Sequence, residues 1–174
     1  WTYYDMYRLW THVKGVPRPT LFYSTAGRYR ASQKNAAMAA ANSCYTELYN
    51  AAGVCMFGAF LGADRLPLFE WLNAALGWDK SPEAYMQIGR RIQTLRQMFN
   101  LREGIDPREL KINPRAAGNP PQSEGANRGR SIPVEAMMQA YWQAIGWGND
   151  GRPTDETIRA LGLEEFVQVK QDAF

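Results

Sequence analysis

The sequence predicts an all-α fold, an irregular multi-helix domain interrupted by one long Pro/Gly-rich loop. Three observations lead there. Apolar side chains recur at steps of three and four, Ser, Pro and Gly stand where helices would begin and end, and no run of four or more residues alternates like a half-buried strand between hairpin turns.

In chain order, the first clear helix is expected over 33–49. This stretch is rich in Ala, with Met38, Ala41, Tyr45 and Leu48 on one side; its composition favours helix and its small side chains permit close packing. A second stripe, Leu68, Leu72, Ala75 and Leu76, marks 67–76, and Gly77 follows where a helix closes on a residue of positive φ. From 82 to 99 the repeat is Tyr85, Ile88, Ile92, Leu95 and Phe99, with Arg90, Arg91 and Arg96 off that stripe. Ser81 can cap the first turn, and Pro82 sits where a missing N–H does no harm. A loop runs from 104 to 131, through Asn113-Pro114, Asn119-Pro120-Pro121 and Gly125 to Arg130. A loop this long is commonly functional, draped over a neighbouring surface, or a linker. A helix over 133–145 carries Val134, Met137, Met138, Tyr141 and Ile145 after a Ser-x-Pro entry and ends at Gly146; two short helices, 154–161 and 163–171, finish the chain. No internal repeat is visible, so residues 1–174 are expected to form one helical domain.

Composition narrows the function classes. With 45% hydrophobic and 13% aromatic residues the chain can bury a core. Its 20 basic and 17 acidic residues leave a mild positive excess spread along the sequence, which argues against a nucleic-acid partner. No apolar run reaches the roughly 18 to 20 residues of a membrane span, and nothing at the front reads as a signal segment. No membrane association is expected. Two cysteines, Cys44 and Cys55, are too few for a disulfide scaffold and fit a reducing, cytoplasmic setting. Trp1, Tyr4, Tyr7 and Trp10 already read as structured, so the chain is expected to be a fragment of a larger enzyme.

Two places carry candidate chemistry. Asn50 to Cys55 follows the Ala-rich helix, and Gly53 permits a backbone conformation closed to other residues just before a thiol. Thiolates ligate iron–sulfur clusters, but a cubane takes about four, so companions of Cys55 would lie elsewhere. His12 is the single histidine, suited to general acid or base work, with Lys14 two residues on. The bland alternatives are a buried small Cys, a surface His and a solvated arginine face.

Beyond this, several stretches resemble the C-terminal region of the tungsten-containing aldehyde ferredoxin oxidoreductase family. Arg91 to Gly104 is similar to its R-I-x-x-L-x-R-x-F-N-x-R-E-G run, with Gln97 at a position expected to be basic. Leu72 to Asp79 resembles L-N-A-x-T-G-W-D with Leu76 for threonine, and Tyr141 to Leu163 resembles Y-Y-x-x-x-G-W-x-x-x-G-x-P-T ending in L-G-L. Asn50 to Cys55 resembles the D-x-x-G-L-C signature, with Asn50 for aspartate and Val54 for leucine. The family's L-P-x-R element is not recognisable in the 105–130 loop.

The resemblance implies a tungsten (or molybdenum) bis-pterin cofactor and a [4Fe-4S] cluster. In that picture Cys55 is a cluster (metal) ligand, while Lys14, Asn50, Gly53 and Val54 cradle pterin and His12 acts as the catalytic proton-handling residue. An amide at position 50 keeps an acceptor oxygen but loses the charge. Implied partners are the missing N-terminal part of the enzyme, a small aldehyde substrate and ferredoxin. The implied reaction oxidises aldehydes to carboxylic acids, with the isolated segment inactive. An aromatic acyl-thioester reductase subunit of the same family and a non-catalytic helical interaction module stay open as alternatives.

Overall fold

A computed structural model describes residues 7–19, 27, 29–55, 57 and 66–167. Among them the order of elements is a 3₁₀ turn Leu9–Thr11, α1 Gln33–Ala51, α2 Leu68–Leu76, α3 Pro82–Arg102, α4 Val134–Ile145, α5 Asp155–Ala160 and a 3₁₀ turn Glu164–Phe166. The described residues form no strand, only isolated bridges between Gln122 and Arg128 and between Trp147 and Pro153. The all-α expectation therefore holds. No described helix is long and apolar enough to cross a membrane.

Local chemistry sets the helix limits. The Ser32 hydroxyl accepts from the Asn35 N–H at 3.1 Å, Ser81 from Ala84 at 3.2 Å and Thr154 from Thr157 at 3.2 Å, each satisfying an N–H that the first turn leaves without an intrahelical partner. Gly77 and Gly146 close α2 and α4 at φ +64° and +88°. The Ser131-Ile132-Pro133 entry to α4 behaves differently from the Ser81-Pro82 entry to α3. Pro133 itself occupies the cap position, and no side chain caps the first turn. The expected 163–171 helix is a 3₁₀ turn at Glu164–Phe166, and 168–171 lie outside the described residues, as do Trp1 and Tyr4.

Packing centres on α1, which contacts both α3 and α4. The crossing with α3 is backbone on backbone: a Cβ at Gly89 would overlap the Cys44 carbonyl group. The small residues Ala36, Ala40, Ala41 and Cys44 make that approach possible, as the Ala-rich sequence suggested. The buried face of α3 is Tyr85, Met86, Gly89 and Thr94, whereas Phe99, on the predicted stripe, is 53% exposed. Periodicity counts large apolar residues; here the contact is made by a glycine and by Thr94, whose hydroxyl accepts from the Trp147 indole N–H at 3.4 Å. In α2, likewise, Leu68 and Phe69 are the buried residues, while Leu76 is exposed.

The arginines of α3 are not a uniform solvated face. Arg90 donates through Nε to the Ile145 carbonyl at 2.8 Å, and Arg91 to the Gly162 carbonyl at 3.1 Å. Both tie α3 to carbonyls at or just beyond the ends of later helices, where cations are favoured. Arg96 pairs with Glu47 of α1. The 104–131 segment carries neither helix nor strand but is closed by its own backbone bonds. Asn119 donates to Pro114, Gly129 to Gln122 and Ile132 to Ala117, at 2.8, 2.9 and 2.8 Å.

Candidate functional site

The 50–55 corner is built by the way α1 stops. Gly53, at φ +71°, donates its N–H to the Asn50 carbonyl at 3.0 Å, and Val54 donates to Tyr49 at 3.2 Å. This pair of bonds is a Schellman ending, and its left-handed position favours glycine. Among the described residues a Cβ at Gly53 would meet no atom within 4 Å, so the requirement for glycine is conformational. Tyr49 then fixes the chain beyond the turn, its hydroxyl donating to the Cys55 carbonyl at 2.6 Å. Asn50, Gly53 and Cys55 are exposed at this corner and Val54 is half-buried.

The second candidate stretch follows the Leu9–Thr11 turn. Leu9 is fully buried and anchors it, and the His12 N–H donates to the Leu9 carbonyl at 3.0 Å. His12 and Lys14 are both exposed. The His12 ring lies 5.6 Å from that of Tyr7, and Tyr7 packs on Phe69 with centroids 4.3 Å apart. Phe69 meets Tyr45 at 6.1 Å, and Tyr45 meets Tyr49 at 6.5 Å. A continuous run of rings thus joins the His12 stretch to the residue that holds Cys55. These contacts link, through a chain of rings, two segments about forty residues apart in sequence. Neither Tyr7 nor Tyr49 was marked by the motifs; a tyrosine just before the Asn50 corner has no sequence signal that separates it from core filler.

The two cysteines have opposite environments. Cys44 is buried at the α1–α3 crossing, and desolvation pushes its thiol up to about 12, against a smaller opposing effect of Arg90. Cys55 is exposed. Burial likewise raises the Tyr45 phenol, whose oxygen has no hydrogen-bond partner among the described residues. Among the described residues no three of His, Cys, Asp and Glu converge as a metal site requires. Any metal chemistry at Cys55 therefore draws its other ligands from outside them.

The fold and corner define a class: a helical domain that exposes one thiol and a glycine-closed turn at a helix end. The comparisons give the family. The model of "Aldehyde ferredoxin oxidoreductase, domains 2 & 3" matches residues 3–163, and the chain belongs to this family of oxidoreductases. It is 43% identical over 123 residues to the tungsten-containing aldehyde ferredoxin oxidoreductase of Pyrococcus abyssi, covering 70% of this chain and 20% of that protein. Its identity to the Thermococcus kodakarensis protein of the same name is 41% over 121 residues, 69% of this chain and 20% of that protein. A WOR-like subunit of an aliphatic sulfonate oxidoreductase from Pyrococcus furiosus is 30% identical over 125 residues, 67% of this chain and 20% of that protein. The chain thus spans about a fifth of the length of these relatives.

Proposed function

We propose that this chain is the helical part of a tungsten-pterin enzyme that oxidises aldehydes to carboxylic acids and passes the electrons through a [4Fe-4S] cluster to ferredoxin. The observation that carries the reading is the accessible thiol of Cys55 at the Schellman end of α1, in a chain of this family. The donor set fits the edge of such cofactors and not the whole of them: one thiolate where a cubane takes about four, beside a backbone that a flat ring system can approach.

With a bis-pterin tungsten group bound, that group would accept the two electrons released when an aldehyde and water become a carboxylic acid and two protons. The chain's own residues do the rest. Cys55 supplies one ligand to the cluster, and Tyr49 holds its backbone in place. Gly53 keeps side-chain bulk away from the cofactor face, and Val54 gives that face an apolar contact. The Asn50 side chain offers an acceptor to pterin N–H groups without the full charge of a carboxylate. Lys14 pairs with the anionic side of the pterin, and His12, exposed beside Tyr7, takes or gives a proton at its ring nitrogen. The helices supply rigidity, because a redox cofactor is tuned by what surrounds it. The segment alone, lacking the other ligands, is inactive, and the setting is cytoplasmic.

A second reading within the family has one observation in its favour. The sulfonate oxidoreductase relative shows that chains similar to this one also occur in proteins named for another substrate, although at 30% rather than 43% identity.

The test is elemental analysis of the intact protein purified without oxygen, paired with a dye-linked assay. We expect tungsten and iron in stoichiometric amounts and viologen reduction by simple aldehydes. A protein free of both metals sinks the redox reading. A metal-loaded protein active on sulfonates but not on aldehydes favours the second reading.

A further inference from the structure

The described cations are less dispersed in space than along the chain. The turn carrying Tyr29 meets the 115–132 loop: the Tyr29 hydroxyl donates to Asn127 Oδ1 at 3.1 Å, and the Arg130 guanidinium lies over the Tyr29 ring at 5.2 Å. Between them opens a cleft of about 450 Å³. It is lined by two basic residues, Arg115 and Arg130, by the polar residues Tyr29, Gln122, Ser123 and Asn127, and by no Asp or Glu among the described residues.

Sequence deepens the imbalance. From 6 to 46 there is no acidic side chain at all, against Arg8, Lys14, Arg18, Arg28, Arg30 and Lys34. From 110 to 134 Glu124 is the single acid, against Lys111, Arg115, Arg128 and Arg130. The fold joins these two acid-poor stretches at the cleft. Its walls are held: Gly118 lies so close to the Arg130 carbonyl that a Cβ there would overlap it, and the Ile132 N–H bonds to the Ala117 carbonyl at 2.8 Å. Arg115 is fixed within the loop through its backbone, its N–H donating to Asn113 Oδ1 at 2.9 Å, and it lines the cleft.

We infer that this cleft binds the oxyanion head of a small organic molecule, a carboxylate or a phosphate monoester. Guanidinium groups suit both heads, since they present paired N–H donors to planar or tetrahedral oxyanions. A volume in the range of small-molecule pockets leaves room for an organic body beside the head. The cleft shares no lining residue with the Cys55 corner and the binding needs no metal, so its test does not depend on the redox reading.

The test is calorimetric titration of the intact protein at low salt with phenyl phosphate, inorganic phosphate and succinate. Saturable one-site binding of at least one probe is expected, weakened by about tenfold or more in Arg115→Gln and in Arg130→Gln and weakening as salt rises. Arg159→Gln, which removes an exposed guanidinium remote in sequence from the cleft, should leave affinity within about twofold, within the usual effect of a change away from a site. Preference for the phosphates over succinate identifies a phosphate ligand, and equal or reversed preference a carboxylate. Circular dichroism of each variant guards against misfolding, and Arg115→Lys, which keeps the charge, should recover part of the affinity. No saturable binding of any probe, or binding that both cleft variants leave unchanged, overturns the inference.

Discussion

Cys44 and Cys55 lie eleven positions apart on and just beyond one helix, and they show how position rather than residue type decides what a thiol does. Cys44 sits where α1 presses its backbone against Gly89, is buried, and holds its proton up to about pH 12. Cys55 stands past a glycine-closed helix end, exposed, with its carbonyl pinned by Tyr49. The middle of α1 serves packing, and its end serves access.

The contrast between the two thiols is easiest to break at the crossing. Gly89→Ala places a methyl group on the Cys44 carbonyl, and neither backbone can move without separating α1 from α3. A loss of about 3 kcal/mol or more in urea unfolding is expected, at the upper end for overpacked cores. A loss below about 1 kcal/mol would mean that the helices do not meet there as closely as described.

Alkaline titration sharpens it. The Cys44 thiol is held above its ordinary value of 9.0, so the folded state keeps a proton that the unfolded chain releases. Below pH 9 this adds no pH dependence. Between about pH 9 and about 12 stability falls as pH rises, by about 1.4 kcal/mol per unit from this group. Tyr45 adds a loss of the same sign at higher pH. Urea unfolding measured at intervals from pH 8 to 11 should show this fall, and Cys44→Ala should flatten it. An unchanged slope in that variant would place the titrating group elsewhere.

At the other end of the helix the expected effect is smaller. Gly53→Val forces a β-branched residue into φ +71° and should cost about 1–2 kcal/mol. No described residue lies near its Cβ, so the cost is backbone strain rather than a clash. The informative readout is local. In metal-stripped protein, alkylation of Cys55 should change while Cys44 stays unreactive until unfolding. Equal labelling of both thiols in the native protein would remove the distinction.

Much of this was legible in the sequence, for identifiable reasons. Ser81, Gly77, Gly146 and the 104–131 loop are local signals, and each sits in the structure as its chemistry dictates. The buried side of α3 was legible only in part: Tyr85, on the predicted stripe, is buried and Ile88 packs on the core, but Phe99 is exposed and Gly89 makes the decisive contact through the absence of a side chain. Arg90 and Arg91 read as a solvated face or an interdomain contact, since nothing local reveals that carbonyls from residues 145 and 162 come within reach. At the candidate site, the Gly53 turn follows from its residue type. The support from Tyr49 and the ring path to His12 depend on tertiary contacts that motif spacing does not encode.

In the proposed function Cys55, and not Cys44, faces a cofactor. Cys55→Ser in the intact, anaerobically purified protein puts it to the test most directly, with Cys44→Ala as the control. Electron paramagnetic resonance of the dithionite-reduced protein should show the [4Fe-4S] signal lost or strongly diminished in the first variant and kept in the second, with helical circular dichroism retained in both. A cluster signal of full intensity in Cys55→Ser would refute the assignment and leave only the helical fold.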